Sequence, residues 1–87
     1  MKQNTTEGIE ALKAWCAKKG VSASKFAISI GRDPSVLRRV LQGKRAPSLE
    51  LAFAIQSGTE GGVPFTVWGI WTLTHDGMIV RNKEAQP

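Results

Sequence analysis

The most constraining feature of this 87-residue sequence is a short link between two segments with helical periodicity. The segment SASKFAISIG, residues 22–31, ends at Gly31, which suits a helix stop. The segment PSVLRRVLQ, residues 34–42, follows Asp33, a good N-cap, and Pro34 suits the first helical position. Only GRD joins the two, and a link this short forces the two helices to cross steeply.

Close crossing requires small or apolar residues at fixed places, and the sequence supplies them. Ala27 lies where the helices approach, Gly31 lies in the turn, and Leu37 and Val40 lie on the inner side of the second helix. This spacing is typical of the helix-turn-helix motif, in which the second helix projects for insertion into the major groove of DNA.

The flanking segments predict further helices and then a change of structure. Residues 5–20 and 47–58 have helical apolar spacing, and Ser48 lies near the start of the second of these. After the turn-rich TEGGVP, residues 65–81 are rich in β-branched and aromatic residues on both sides of Asp76-Gly77, a strong hairpin signal. The sequence predicts a mainly α fold of four to five helices with a C-terminal β-hairpin. Residues 1–62 form its core, 63–81 a hairpin of the same domain, and 82–87 a flexible tail.

Positive charge is concentrated around the two-helix unit. Between Lys18 and Arg45 the chain has eight of its twelve basic residues against a single acid, Asp33, a local charge of +7. The net charge of the whole chain is +5. This concentration favours a polyanionic partner over a merely solvated helix face.

The end of the second helix and the segment that follows it resemble a known family. VLQGKRAPSLELAFAI, residues 40–55, is similar to the Cro/CI-type (XRE-like) helix-turn-helix repressors of phages and mobile elements, in which a glycine and basic residues follow the recognition helix and Pro-Ser opens the next helix. The likeness covers about residues 9–55. It implies a Cro/repressor-like domain that binds DNA sequence-specifically as a homodimer and represses transcription.

The outward face of the second helix is the candidate surface for reading bases, because arginine bonds guanine O6 and N7 together in the major groove. The candidate base-reading residues are Ser35, Arg38, Arg39 and Gln42. Pro34 departs from the family, which usually has a polar side chain there, and proline cannot hydrogen-bond a base. The resemblance implies phosphate contacts at Ser22, Ser24, Lys25, Lys44 and Arg45, which fix register without reading sequence. Arg32, in the turn, is either a further contact or simply exposed.

The predicted first strand of the hairpin has apolar residues on both faces, which suggests burial on both sides. The helices of the domain could cover one face and a second copy of the chain the other. The candidate dimerisation residues are Val67, Trp68, Ile70, Trp71 and Leu73. Stacking of the tryptophans on single-stranded nucleic acid is an alternative, but they lie away from the basic cluster in sequence.

Catalytic and metal chemistry are not indicated. His75 has no second histidine beside it in the sequence, Cys16 lies on an apolar helical stripe, and no Gly-rich phosphate loop or paired carboxylates appear. We expect no enzyme activity, no cofactor, no metal and no small-molecule ligand. A single cysteine and the lack of a long apolar run lead us to expect a cytoplasmic protein with no membrane partner.

Three functions remain open at this stage. The leading hypothesis is a homodimeric repressor of an inverted-repeat operator in double-stranded DNA. The alternative from another class is an antitoxin or anti-repressor-like interaction module whose hairpin binds a partner protein. Binding of structured RNA is the weakest, because the deep, narrow major groove of A-form RNA would not admit the helix.

Overall fold

The computed structural model describes residues 5–82. Four α-helices come first: α1 (Thr6–Lys19), α2 (Ala23–Ser29), α3 (Pro34–Leu41) and α4 (Leu49–Gly58). A single 3₁₀ turn (Phe65–Trp68) follows, and then an antiparallel hairpin of β1 (Trp71–Leu73) and β2 (Ile79–Arg81). The prediction of a mainly helical chain with a small C-terminal hairpin is confirmed.

Side chains cap the starts of α2, α3 and α4, and the cap at Asp33 is the one that the sequence predicts. The hydroxyl of Ser22 accepts from the backbone N–H of Lys25 at 3.1 Å, and that of Ser48 accepts from Leu51 at 3.1 Å. Asp33 Oδ1 accepts from the backbone N–H of Ser35 at 2.9 Å. Each bond satisfies a donor that the first helical turn leaves free, so the three helix starts are fixed locally.

All four helices end with the same pair of backbone bonds, the Schellman motif. At the end of α2, the N–H of Gly31 donates to Ile28 O at 3.0 Å and the N–H of Arg32 donates to Ala27 O at 2.8 Å. The motif requires a left-handed residue, and Gly31 has φ +72°. The residues at this position in the four helices are Gly20, Gly31, Gly43 and, after α4, Glu60.

The core draws on every helix and on the segment after α4. Its largest side chain is Trp68, which is fully buried and lies against Gly8 of α1. A Cβ added to Gly8 would lie 2.3 Å from Cε3 of the indole, so only glycine allows this approach. The other large, fully buried side chains are Leu12, Leu37, Val40, Ile55, Val63 and Ile70.

The prediction for the first strand of the hairpin is wrong in the first half of residues 65–73. Residues 65–68 form the 3₁₀ turn, and the strand begins only at Trp71. Phe65 and Trp68, three residues apart, share one side of a 3₁₀ turn, so both can enter the core there. The backbone N–H of Phe65 donates to Gln56 Oε1 at 2.9 Å, which fixes the start of the turn on α4.

The hairpin itself is shorter than predicted but turns where expected. Thr72 lies opposite Val80 and Leu73 opposite Ile79. The N–H of Gly77 donates to Thr74 O at 2.9 Å, which closes a three-residue loop with a glycine bulge at the Asp-Gly pair. Asn82, which the sequence assigns to the flexible tail, instead bonds to Ile70 O through its N–H at 2.7 Å. The remainder of the predicted tail, 83–87, lies outside the described residues.

Candidate nucleic-acid interface

Helices α2 and α3 pack directly against one another around small and aliphatic residues. Ala27 is fully buried on α2, and Leu37 and Val40 are buried on the inner side of α3. The Schellman motif at Gly31 and the cap at Asp33 account for the whole link between the helices. The spacing that predicts a closely crossed helix pair therefore corresponds to a packed two-helix unit.

The side of α3 opposite its buried residues is exposed and cationic. The four candidate base-reading residues, Ser35, Arg38, Arg39 and Gln42, are all exposed. Within residues 5–82, neither Arg38 nor Arg39 forms an ion pair. Two guanidinium groups on adjacent positions thus retain all their donors for an external acceptor.

Ser35 has a structural role as well as an exposed position. Its hydroxyl donates to Asp33 Oδ1 at 2.8 Å, and its backbone N–H donates to the same oxygen. These two bonds lower the pKa of Asp33, and the nearby charges of Arg39 and Arg38 lower it further. Because the Ser35 hydroxyl proton is used in the cap, Ser35 offers an approaching base mainly its acceptor lone pairs.

The candidate phosphate contacts fall on two segments. At the start of α2, Ser22 and Lys25 are exposed and Ser24 is half-buried. Ser22 accepts the capping bond through its oxygen, so its hydroxyl proton remains available. In the loop after α3, Lys44 and Arg45 are exposed, and the N–H of Lys44 donates to Arg39 O at 3.0 Å. That bond fixes the direction in which the loop leaves the basic helix.

Arg32 has an environment that the sequence alone does not reveal. Its side chain is 35% exposed, its Nη1 lies 3.8 Å from Glu50 Oε1, and its Nε is shut off from solvent with no acceptor among residues 5–82. It borders a cleft of about 270 Å³ between the α2–α3 turn and α4. The other residues of the cleft wall are Gly31, Asp33, Val36, Arg45, Ser48 and Leu51.

The candidate dimerisation residues are divided by the structure. Trp68, Ile70 and Trp71 are buried in the core of their own chain, because the 3₁₀ turn and the short strand direct all three inward. They are not available to a second copy in this conformation. Val67 is half-buried, and Leu73 is 53% exposed.

Other exposed apolar side chains accompany Leu73, and sequence reasoning missed them. Met78, Ile79 and Val80 are exposed in the second half of the hairpin, and Phe53 of α4 is partly exposed and lies against Phe65. Leu73 and Ile79 are opposite each other in the register, so both lie on the face that carries Trp71. The sequence feature that could have indicated these exposed apolar residues is the run Met78-Ile79-Val80 after the turn.

Cys16 and His75 are the residues considered above for nucleophilic and metal chemistry. Cys16 is buried in the core, where burial raises the pKa of its thiol, and His75 is exposed in the hairpin loop. In the part of the chain that the structure describes, no group of three or more His, Cys, Asp or Glu residues could hold a metal ion.

Comparison of this chain with protein-family models, with curated proteins and with solved structures finds no match. None of the helices in residues 5–82 has the length and hydropathy needed to cross a bilayer.

Proposed function

We propose that this chain is a sequence-specific DNA-binding transcriptional regulator, a Cro/CI-type repressor that binds an inverted-repeat operator as a homodimer. The observation that carries the proposal is the exposed side of α3, where Arg38 and Arg39 have no ion-pair partner among the described residues. The cap at Asp33 and the Schellman motif at Gly31 fix the link between this helix and α2. Rigid presentation lowers the cost of docking a charged surface.

The chemistry of this surface suits the major groove of duplex DNA. The groove is wide enough for one α-helix, and an arginine can donate two hydrogen bonds to one guanine. Ser22, Lys25, Lys44 and Arg45 would contact phosphates and set the register of the helix. Ser24 is half-buried, so its contact would be limited to the edge of the surface.

A homodimer would place two copies of α3 about 34 Å apart, in successive major grooves. The exposed apolar side chains of the hairpin, Leu73 and Ile79, support a two-fold contact through that element. The sheet of the described chain has two strands, and a symmetry mate could add to it alongside β2. Repression would follow from occupancy of a promoter in the cytoplasm.

Selection of bound fragments from random duplex DNA tests this proposal. We expect enrichment of an inverted repeat with half-site centres about one helical turn apart, 10–10.5 bp, or a multiple of it. An equally sized double-stranded RNA serves as the control and should compete poorly. Recovery of no common sequence, or equal affinity for the RNA, would rule out sequence-specific duplex DNA recognition.

The exposed apolar hairpin also favours the second candidate, an antitoxin or anti-repressor-like module that binds a partner protein. The variant Trp71→Ala cannot separate the two functions, because Trp71 is buried and contacts Phe65. The variant Leu73→Ser changes an exposed position instead. A folded, dimeric Leu73→Ser protein that binds DNA normally but loses a co-purifying protein would favour the second candidate.

A further inference from the structure

The cleft beside the α2–α3 turn contains a charged donor without an acceptor. Arg32 Nε has no solvent contact and no hydrogen-bond partner among residues 5–82. A buried N–H of this kind is unfavourable unless an acceptor from outside the chain reaches it. The guanidinium is otherwise held only by Glu50, at a long distance of 3.8 Å, and the Glu50 side chain is 79% exposed.

The cleft wall has a net positive charge that matches one phosphodiester. Arg32 and Arg45 contribute two guanidinium groups, and Asp33 is the one carboxylate among the wall residues. Asp33 Oδ1 already accepts two hydrogen bonds from Ser35. Glu50 balances the remaining positive charge in the unbound protein, so displacement of its exposed carboxylate would leave one positive charge and two planar forks for oxygen ligands.

We propose that this cleft binds a phosphate oxyanion through Arg32 and Arg45, and that Glu50 holds Arg32 in the unbound protein. The ligand oxygen would displace the exposed carboxylate of Glu50 from Nη1 of Arg32, and the guanidinium released in this way could turn so that its occluded Nε–H reaches a second ligand oxygen. If the phosphate belongs to the DNA backbone, the inference rests on the proposed function and adds Arg32 to its phosphate contacts. A free phosphate is the other source of the same chemistry.

Pairs of variants that change the net charge equally, one inside the cleft and one on α1, distinguish phosphate binding in the cleft from a general effect of net charge on DNA binding. Glu50→Gln should strengthen duplex binding by up to about fivefold, the upper range for an exposed ion pair, whereas Glu10→Gln on α1 should have little effect. Arg32→Ala should reduce the magnitude of the salt slope by about 0.9 per subunit, and Lys13→Ala on α1 should not. In the Arg32→Ala background, Glu50→Gln should lose its advantage over Glu10→Gln.

The conservative variant Arg32→Lys tests whether the Nε–H of Arg32 contributes to binding. Arg32→Lys keeps the charge but lacks the Nε–H and the planar fork, so we expect an unchanged salt slope with about tenfold weaker binding. Thermal unfolding of each variant identifies losses caused by misfolding. Equal effects of Glu50→Gln and Glu10→Gln in folded proteins, with Arg32→Ala equal to Lys13→Ala, would overturn the inference and leave the proposed DNA binding intact.

Nuclear magnetic resonance of the arginine Nε–H groups distinguishes the two sources of phosphate. Addition of duplex should shift the Arg32 Nε–H signal if the DNA backbone is the ligand. If the wild type binds no duplex, the proposed function fails, and inorganic phosphate becomes the probe. A saturable shift of Arg32 but not of Arg38 with inorganic phosphate would then support a free-anion site. No shift of Arg32 with either probe would overturn it.

Discussion

Glu60 has a backbone conformation that glycine occupies at the equivalent place in the other three helices. Its φ is +53°, and its N–H donates to Ser57 O at 3.1 Å as part of the Schellman motif that ends α4. A side chain in the left-handed region costs about 1–2 kcal/mol, because Cβ approaches the following carbonyl oxygen. At this residue the motif is retained at a cost to stability.

The variants Glu60→Gly and Gly31→Ala should therefore have opposite effects. We expect Glu60→Gly to raise the free energy of unfolding by about 0.5–1 kcal/mol, after the greater flexibility of unfolded glycine is subtracted. Gly31→Ala should lower it by about 1 kcal/mol, since nothing lies within 4 Å of an added Cβ and only the backbone is strained. Urea unfolding midpoints measure both changes. A destabilised Glu60→Gly protein would contradict this explanation.

Asp33 couples the start of α3 to pH. The bonds from Ser35 lower its pKa below the ordinary 3.8, so the carboxylate stabilises the folded state fully above that value. The contribution is lost as the pH falls through the lowered pKa. Thermal unfolding of the wild type and of Asp33→Asn between about pH 2 and 6 tests this, because asparagine caps a helix without titrating. We expect the stability difference to shrink toward low pH, and a constant difference would argue against the effect.

At the scale of elements, the starts of α2, α3 and α4 were predictable and the 3₁₀ turn was not. Ser22, Asp33 and Ser48 act on donors two or three residues away, so a cap can be predicted from the sequence around it. The alternating residues of 65–73 fit a strand equally well. Their actual path depends on Gln56, which bonds the N–H of Phe65, and on the space that Gly8 leaves for Trp68. Such contacts are distant in sequence.

In the candidate site, too, some features could be predicted from the local sequence and others depend on contacts between distant segments. The exposure of Arg38 and Arg39 follows from helical periodicity, because Leu37 and Val40 take the inner positions. The environment of Arg32 does not, since it depends on how close the start of α4 comes to the α2–α3 turn. Local pattern predicts which face a residue occupies, and tertiary packing decides what lies beside it.

The contact between Gly8 of α1 and Trp68 of the 3₁₀ turn decides whether Gly8→Ala raises or lowers the free energy of unfolding. Helix propensity alone would make Gly8→Ala stabilising by about 1 kcal/mol. The added Cβ would instead lie 2.3 Å from the Trp68 indole, so we expect destabilisation by about 1–3 kcal/mol. Urea unfolding of Gly8→Ala, Trp68→Phe and the double variant measures the coupling, which should make the two losses less than additive. A more stable Gly8→Ala protein would show that this contact is not tight.

At the scale of the whole molecule, the basic face of α3 and the apolar residues of the hairpin lie on different elements and have different predicted roles. The burial of Trp68, Ile70 and Trp71 leaves Val67 and Leu73 as the accessible part of the predicted dimer contact, and Ile79 lies opposite Leu73 in the hairpin. The homodimer remains a prediction, and the contact that we predict for it is now the exposed pair Leu73 and Ile79 of the hairpin.

The double variant Leu73→Ser/Ile79→Ser should lower the dimer fraction without unfolding the chain, because the two side chains are 53% and 39% exposed and neither belongs to the hydrophobic core. Ile28→Ser is the matched control, since Ile28 is 67% exposed on α2 and lies outside the hairpin. Sedimentation at micromolar concentration measures the association. Equal dimer fractions in the double variant and the wild type would exclude this contact.

The most direct test of DNA reading by α3 is a comparison of Arg38→Ala and Arg39→Ala with Lys44→Ala. Each protein is titrated with its selected operator and with duplexes substituted at single positions, at fixed salt. At least one arginine variant should lose about 1–3 kcal/mol on the operator and stop discriminating at one position per half-site. Lys44→Ala should weaken all duplexes alike. If both arginine variants behave like Lys44→Ala, the exposed face of α3 does not read bases.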